Sequence, residues 1–232
     1  MELNYNNLCI VGDIHGEFTE FSFKIWQKDI KDTAFIVAGD FGLGFHKRGY
    51  YERVYQRIKK KLEDKGNCLL GIRGNYDDPE YYYESSLMDY PLFKALPDFT
   101  RLTWKEREIL VIGGATSVDK SWRIEQMKKK PKEIIWWEGE RPIKDVSRLK
   151  EKEDIVISHE APLCVGPVVT RTDDMELETY HNILEDRKFL DIVLKETRPE
   201  NYYFGHYHSS TSGNWGNTLW KGLNINEIIE VR

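Results

Sequence analysis

The side chains that could do chemistry in this chain stand directly after its apolar runs. Leu8-Cys9-Ile10-Val11 gives way to Gly12 and then to Asp13 and His15, two positions apart, so that extended backbone projects both to one side. The same sequence of events recurs. Ala34-Phe35-Ile36-Val37-Ala38 runs into Gly39-Asp40, and Cys68-Leu69-Leu70-Gly71-Ile72 into Arg73-Gly74-Asn75-Tyr76-Asp77. Further on, Ile155-Val156-Ile157 leads to Ser158-His159, and Tyr202-Tyr203-Phe204 to Gly205-His206-Tyr207-His208. Asp13, His15, Asp40, Asn75, His159, His206 and His208 together offer more N and O donors than one tetrahedral ion takes, so two metals fit the set better than one. Two divalent ions roughly 3.5–4 Å apart need a bridging anion, a place suited to Asp40. Mixed imidazole, carboxylate and amide donors favour manganese, with iron or zinc as alternatives, over calcium. Such a pair acidifies water, giving a hydroxide near neutral pH that can attack phosphorus in line.

These residues need a scaffold that brings separate strand ends to one place. Between the apolar runs the spacing turns helical: residues 18–30 repeat Phe18, Phe21, Ile25 and Trp26, and residues 50–64 repeat Val54, Ile58 and Leu62. Residues 175–197 carry the clearest helical period, with Asp173 or Asp174 placed to cap it and Pro199 to end it. Strands alternating with helices predict an α/β fold with a parallel sheet and ligands at its carboxyl edge. A hairpin is expected over 102–114, and short strands over 218–220 and 227–231. In residues 115–153 the periodicity weakens while Trp122, Arg123, Trp136, Trp137 and Arg141 accumulate, as in a cap over a site.

Composition narrows the function classes. At 232 residues the chain lies below the ~250–300 at which single cores stop growing, so one domain spanning 1–232 is expected, with 115–153 as a cap segment within it. A 40% apolar share, 31% charged residues, no long apolar run and no basic leader point to a cytoplasmic protein without membrane contact. Cys9, Cys68 and Cys164 are single and far apart, which favours packed thiols over disulfides. A net charge of −5 argues against strong nucleic-acid binding, and the lysine clusters at 59–61 and 128–132 read as solvated helix faces. The oligomeric state leaves no mark on the sequence.

Gly12-Asp13-Ile14-His15-Gly16, Gly39-Asp40, Gly74-Asn75-x-Asp77, Ser158-His159 and Gly205-His206-Tyr207-His208 resemble, in order and spacing, the five motifs of the calcineurin-like metallophosphoesterases. The segment from Gly113 through Trp136-Trp137 to Pro162 is similar to small bacterial and phage members of that family. The resemblance implies a four-layer αββα sandwich, two central β-sheets flanked by helices. It also implies one metal on Asp13, His15, Asp40 and His208, and a second on Asp40, Asn75, His159 and His206. The catalytic candidates are then Asp40, Tyr76 and Asp77.

Two departures shape the functional expectation. Tyr76 stands where most members carry a histidine, and Phe41-Gly42-Leu43-Gly44 follows Asp40 without the usual acidic residue and arginine. A phenol of pKa about 10 donates a hydrogen bond at neutral pH but is a weaker proton donor than an imidazole, so the acid role is open. Arg73, Arg123 or Arg141 could hold a phosphate oxygen; Arg73 is equally readable as a structural ion pair, Arg123 and Arg141 more readily so, and Trp122, Trp136 or Trp137 could wall the pocket. Of these, Arg73, Arg123 and Trp137 are the substrate-binding candidates. The expectation is a metal-dependent phosphodiesterase with two divalent ions, acting on a small phosphoester or nucleotide. The alternatives are a phosphomonoesterase on phosphoprotein or nucleotide, and a non-catalytic scaffold of the same fold.

Overall fold

The computed structural model describes residues 1–83, 88–173 and 175–232. In chain order the elements are β1 (Asn7–Val11), α1 (Phe18–Gln27), β2 (Thr33–Val37), α2 (Arg48–Lys65), β3 (Cys68–Gly71), β4 (Asp89–Tyr90), β5 (Phe93–Ala95), β6 (Arg101–Trp104), β7 (Arg107–Ile112), α3 (Lys120–Lys129), β8 (Ile155–Ser158), α4 (Leu177–Thr197), β9 (Asn201–Phe204), β10 (Thr211–Trp215), β11 (Thr218–Gly222) and β12 (Ile228–Glu230). They form two six-stranded sheets, ordered β12-β1-β2-β3-β5-β4 and β10-β11-β9-β8-β7-β6. Within each sheet the four inner strands are parallel and the outermost ones antiparallel.

The apolar runs of β1, β2, β3, β8 and β9 are continuous because both faces of those strands are buried. In β1, Leu8 and Ile10 join Ile36, Leu70, Val111, Ile155 and Ile157 in a core between the sheets. The alternate residues Cys9 and Val11 pack outward against Phe18, Phe21 and Ile25 of α1 and Ile58 and Leu62 of α2. On the far side, Leu110, Val156, Tyr202 and Phe204 meet Leu190, Val193 and Leu194 of α4. The result is the four-layer αββα sandwich: helix, sheet, sheet, helix. Each fully buried Leu or Ile contributes roughly 1.5–3 kcal/mol, and three stacked interfaces make the strand ends a rigid platform.

Some boundaries differ from the sequence expectation. The helix expected from residue 175 begins at Leu177 with Glu176 in the N-cap position and no side-chain cap, so Asp173 does not cap it; Asp174 lies outside the described residues. Within the expected cap segment, α3 forms without an apolar stripe, burying only Arg123. Cys9 and Cys68 are buried free thiols and Cys164 an exposed one. Among the described residues no helix is long and apolar enough to cross a membrane.

Candidate metal centre

Parallel β1, β2 and β3 end at the same edge of one sheet, and β8 and β9 at the matching edge of the other. The five loops that follow converge. His15 N–H donates to the Asp40 carbonyl at 2.8 Å, joining the first two loops. The His206 backbone N–H reaches both Asp13 oxygens at 3.2 Å, joining the two sheets. The approach is close enough that a Cβ at Gly74 would lie 2.0 Å from Asp40 Oδ1, and one at Gly205 would lie 2.2 Å from Asp13 Oδ1. Glycine at these two positions is a condition of the convergence. His15, Asp40, His206 and His208 all adopt positive φ, between 42° and 67°, which costs a non-glycine residue on the order of 1–3 kcal/mol. Such strain concentrated on four chemically capable residues is characteristic of a site.

Asp13, His15, Asp40 and His208 each offer a ligand atom within 4.8 Å of the others. His208 Nε2 lies 3.1 Å from Asp13 Oδ2 and 3.2 Å from His15 Nε2. Beside this set lies a second one, in which His159 Nε2 is 2.9 Å from Asn75 Oδ1 and 3.3 Å from Asp40 Oδ1. The His206 ring packs edge-on against His159 at 4.9 Å. Asp40 stands between the sets: Oδ2 faces His15 at 3.9 Å, while Oδ1 faces His159 and accepts the Tyr76 N–H at 2.8 Å.

Neighbours fix which atoms point inward. His159 Nδ1–H donates to the Ala38 carbonyl at 2.9 Å, leaving Nε2 for the centre. The Asn75 amide nitrogen donates to Ser117 Oγ at 2.9 Å, and Ser117 in turn donates to Glu140 at 2.5 Å, so the amide oxygen must face inward. Ser117 and Glu140 are buried residues that sequence reasoning did not single out as site residues. Ser117 lies in the segment that resembles small family members, but nothing in the sequence signals that Glu140 is its partner.

The electrostatics fit a cation. Burial alone would raise the Asp40 carboxyl, yet the His159 and His15 imidazoles and the Tyr76 N–H hold it below the usual carboxylate range. Burial would lower His159, but the Asp40 carboxylate outweighs it and lifts that imidazole to about 10. A proton is thus drawn onto Nε2, between carboxylate and amide oxygens, where a metal would otherwise sit. His206 is driven the other way, down to about 3, by burial and by His159. The donor set, its inward-facing lone pairs and its appetite for positive charge all suit divalent metal.

The remaining candidates divide. Tyr76 lies beside the centre, its ring 5.5 Å from that of His15 and 3.5 Å beneath the Arg123 guanidinium. Arg123 is buried and paired with Asp119 at 2.8 Å. Trp137 is buried and meets Phe45 edge-on at 5.0 Å, while Phe45 borders a cavity of about 160 Å³ with His15, His46 and Tyr50. Asp77 accepts four backbone N–H groups, those of Phe41, Gly42, Leu43 and Gly74, at 2.7–2.9 Å. Arg73 points away: its five N–H donations go to Asp98 and to the carbonyls of Gly139, Glu140 and Arg141, leaving none for a phosphate. Arg141 is spent on Asn182, Glu185 and Asp186 of α4. A larger cavity of about 400 Å³ adjoins the Arg73–Asp98 pair and contains none of the seven ligand candidates.

The calcineurin-like phosphoesterase family model matches residues 7–210. One solved crystal structure superposes with a TM-score of 0.50 at 15% identity, covering 98% of this chain and 99% of its own. A candidate 5'-nucleotidase from Staphylococcus aureus, solved in complex with alpha-ketoglutarate, gives a TM-score of 0.43 at 14% identity, over 94% of this chain and 48% of its own. No curated protein sequence matches.

Proposed function

The chain belongs to the calcineurin-like phosphoesterase family, and from that premise we propose that it is a phosphodiesterase with a dinuclear metal site. Asp13, His15, Asp40 and His208 would hold one ion, and Asp40, Asn75, His159 and His206 the other, with Asp40 giving one oxygen to each. Two divalent ions there, manganese before iron or zinc, would polarise a phosphoryl oxygen and supply hydroxide at neutral pH.

The observation that carries the diester reading is the identity of the groups around that centre. A monoester dianion asks for additional cationic or acidic donors, and here the position beside Asn75 holds a phenol. Burial raises the Tyr76 hydroxyl despite the Arg123 charge, so it stays protonated and donates a hydrogen bond to a phosphoryl oxygen or leaving group. Arg123, its charge shared with Asp119, packs over that ring and holds the phenol beside the centre without offering the full cation that a monoester dianion would call for. Asp77 acts as a positioning residue by gathering the Asp40 and Asn75 loops. Arg73 braces the 139–141 loop, and Trp137 with Phe45 forms an aromatic wall for a base or other flat group.

Assay of manganese-loaded protein on bis-nitrophenyl and mono-nitrophenyl phosphate tests the proposal. Faster diester turnover is expected, and faster monoester turnover would reverse the assignment. Metal analysis that finds no bound ion, with no activity after manganese is added, would favour a scaffold of the same fold.

A further inference from the structure

Glu160 is completely buried next to the candidate ligand His159, and the proposed function gives it no task. Its two oxygens are treated differently. Oε1 accepts the Ala161 N–H at 2.7 Å and the Tyr207 hydroxyl. Oε2 has no hydrogen-bond partner although no solvent reaches it. Leaving a buried carboxyl oxygen unpaired is costly, so the imidazole that faces it matters. Facing it is His206 Nε2, at 3.9 Å, too far for a hydrogen bond as it stands.

We infer that Glu160 is a positioning residue for His206, accepting the Nε2–H of its imidazole and thereby offering Nδ1 to the metal centre. The inference rests on the metal-centre reading above. An imidazole that ligates through one nitrogen ordinarily gives the other N–H to a carboxylate, carbonyl or water, which sets ring orientation and raises ligand basicity. Here the carboxylate is built in. Tyr207, adjacent to His206, holds Oε1 so that Oε2 must face the ring. Tyr207 is itself packed beneath the Arg187 guanidinium at 5.6 Å, and Arg187 is anchored by the carbonyls of Pro162, Val165 and Pro167. One tight turn therefore supplies both the ligand and the clamp on its orienting group. The second metal position, not the first, depends on α4 through Arg187.

Manganese titration of the metal-free protein by calorimetry tests this, with Glu160→Gln and Glu160→Leu compared with the native chain. The expected result is two classes of site, of which Glu160→Leu weakens one by about 10–100-fold and leaves the other near its native affinity. Glu160→Gln keeps an acceptor oxygen and stays within a few-fold of native. A loss in Gln equal to that in Leu would make Glu160 a direct ligand and overturn the inference, as would equal weakening of both sites. Because Glu160→Leu could unfold, a second measurement uses native protein alone: long-range proton–nitrogen spectra of the zinc-loaded chain should show His206 protonated at Nε2, and protonation at Nδ1 overturns the inference. Native protein that binds no metal removes the metal-centre reading and this inference with it. Native binding unchanged in both variants removes only the role of Glu160.

Discussion

At the scale of single residues, the chain separates groups that face the centre from groups that hold them there. Asp40 is the former: its two oxygens address the two halves, so Asp40→Asn should lower turnover by at least about 10³-fold while leaving the fold intact by circular dichroism. Tyr76→Phe should cost much less, about tenfold or under, because it removes only the proposed phenol donor and keeps the Tyr76 backbone N–H that Asp40 accepts. Steady-state kinetics on one diester substrate compares the two, and equal damage would promote the phenol to an essential catalyst. Tyr76→His should gain on substrates with poor leaving groups, and no gain would show that another group already serves as acid.

Asp77, by contrast, belongs to the scale of elements. It ties the loop after β2 to the loop after β3 through four backbone donors. Burial and the nearby Asp40 charge push its carboxyl up to about 6 against those donors, which leaves it ionised at pH 7. Asp77→Asn turns one oxygen into a donor facing two N–H groups, and should destabilise the protein by about 3 kcal/mol in urea denaturation. A change below about 1 kcal/mol would mean that the loops hold without it. One element that the periodicity does not show, α3, is equally instructive. Periodicity detects a helix by its apolar stripe, and α3 has none; it is fixed by one buried arginine reaching Tyr76. The paired apolar strands, with both faces buried, were legible because their continuous runs admit few other environments. The two-residue strand β4 and three-residue strand β5 were not, being too short to show alternation.

Across the whole molecule, the two sheets meet at a centre that attracts positive charge before any metal arrives. His159 holds a proton up to about pH 10, and a metal on Nε2 must displace it. His206, depressed to about 3, has none to give up. His208 is also raised, by its hydrogen bond to Asp13, so manganese affinity should rise with pH from about 6 by at least tenfold per unit as these imidazoles give up their protons. Calorimetry in buffers of different ionisation enthalpy should find at least one proton released at pH 7, and no release would show that His159 and His208 bind neutral or not at all. Metal binding should also stabilise the fold by about 2.7 kcal/mol at a free concentration one hundred times Kd, read as a shift in thermal unfolding that chelator reverses.

What the sequence determined by itself was the identity of the candidate ligands and the alternation of strand and helix, because ordinary turns do not set a metal-binding side chain directly after a buried apolar run five times over. The split into two sheets came with the resemblance to a family, since periodicity does not say which strand pairs with which. The tertiary structure alone decided how the flanking polar groups are spent. Arg73 is occupied by Asp98 and by carbonyls up to 68 positions away, Asn75 is oriented by Ser117 and Glu140, and His206 faces a carboxylate clamped by its own neighbour. A hydrogen bond depends on distance and direction in space, and residues this far apart along the chain acquire both only when the sheets close on one another.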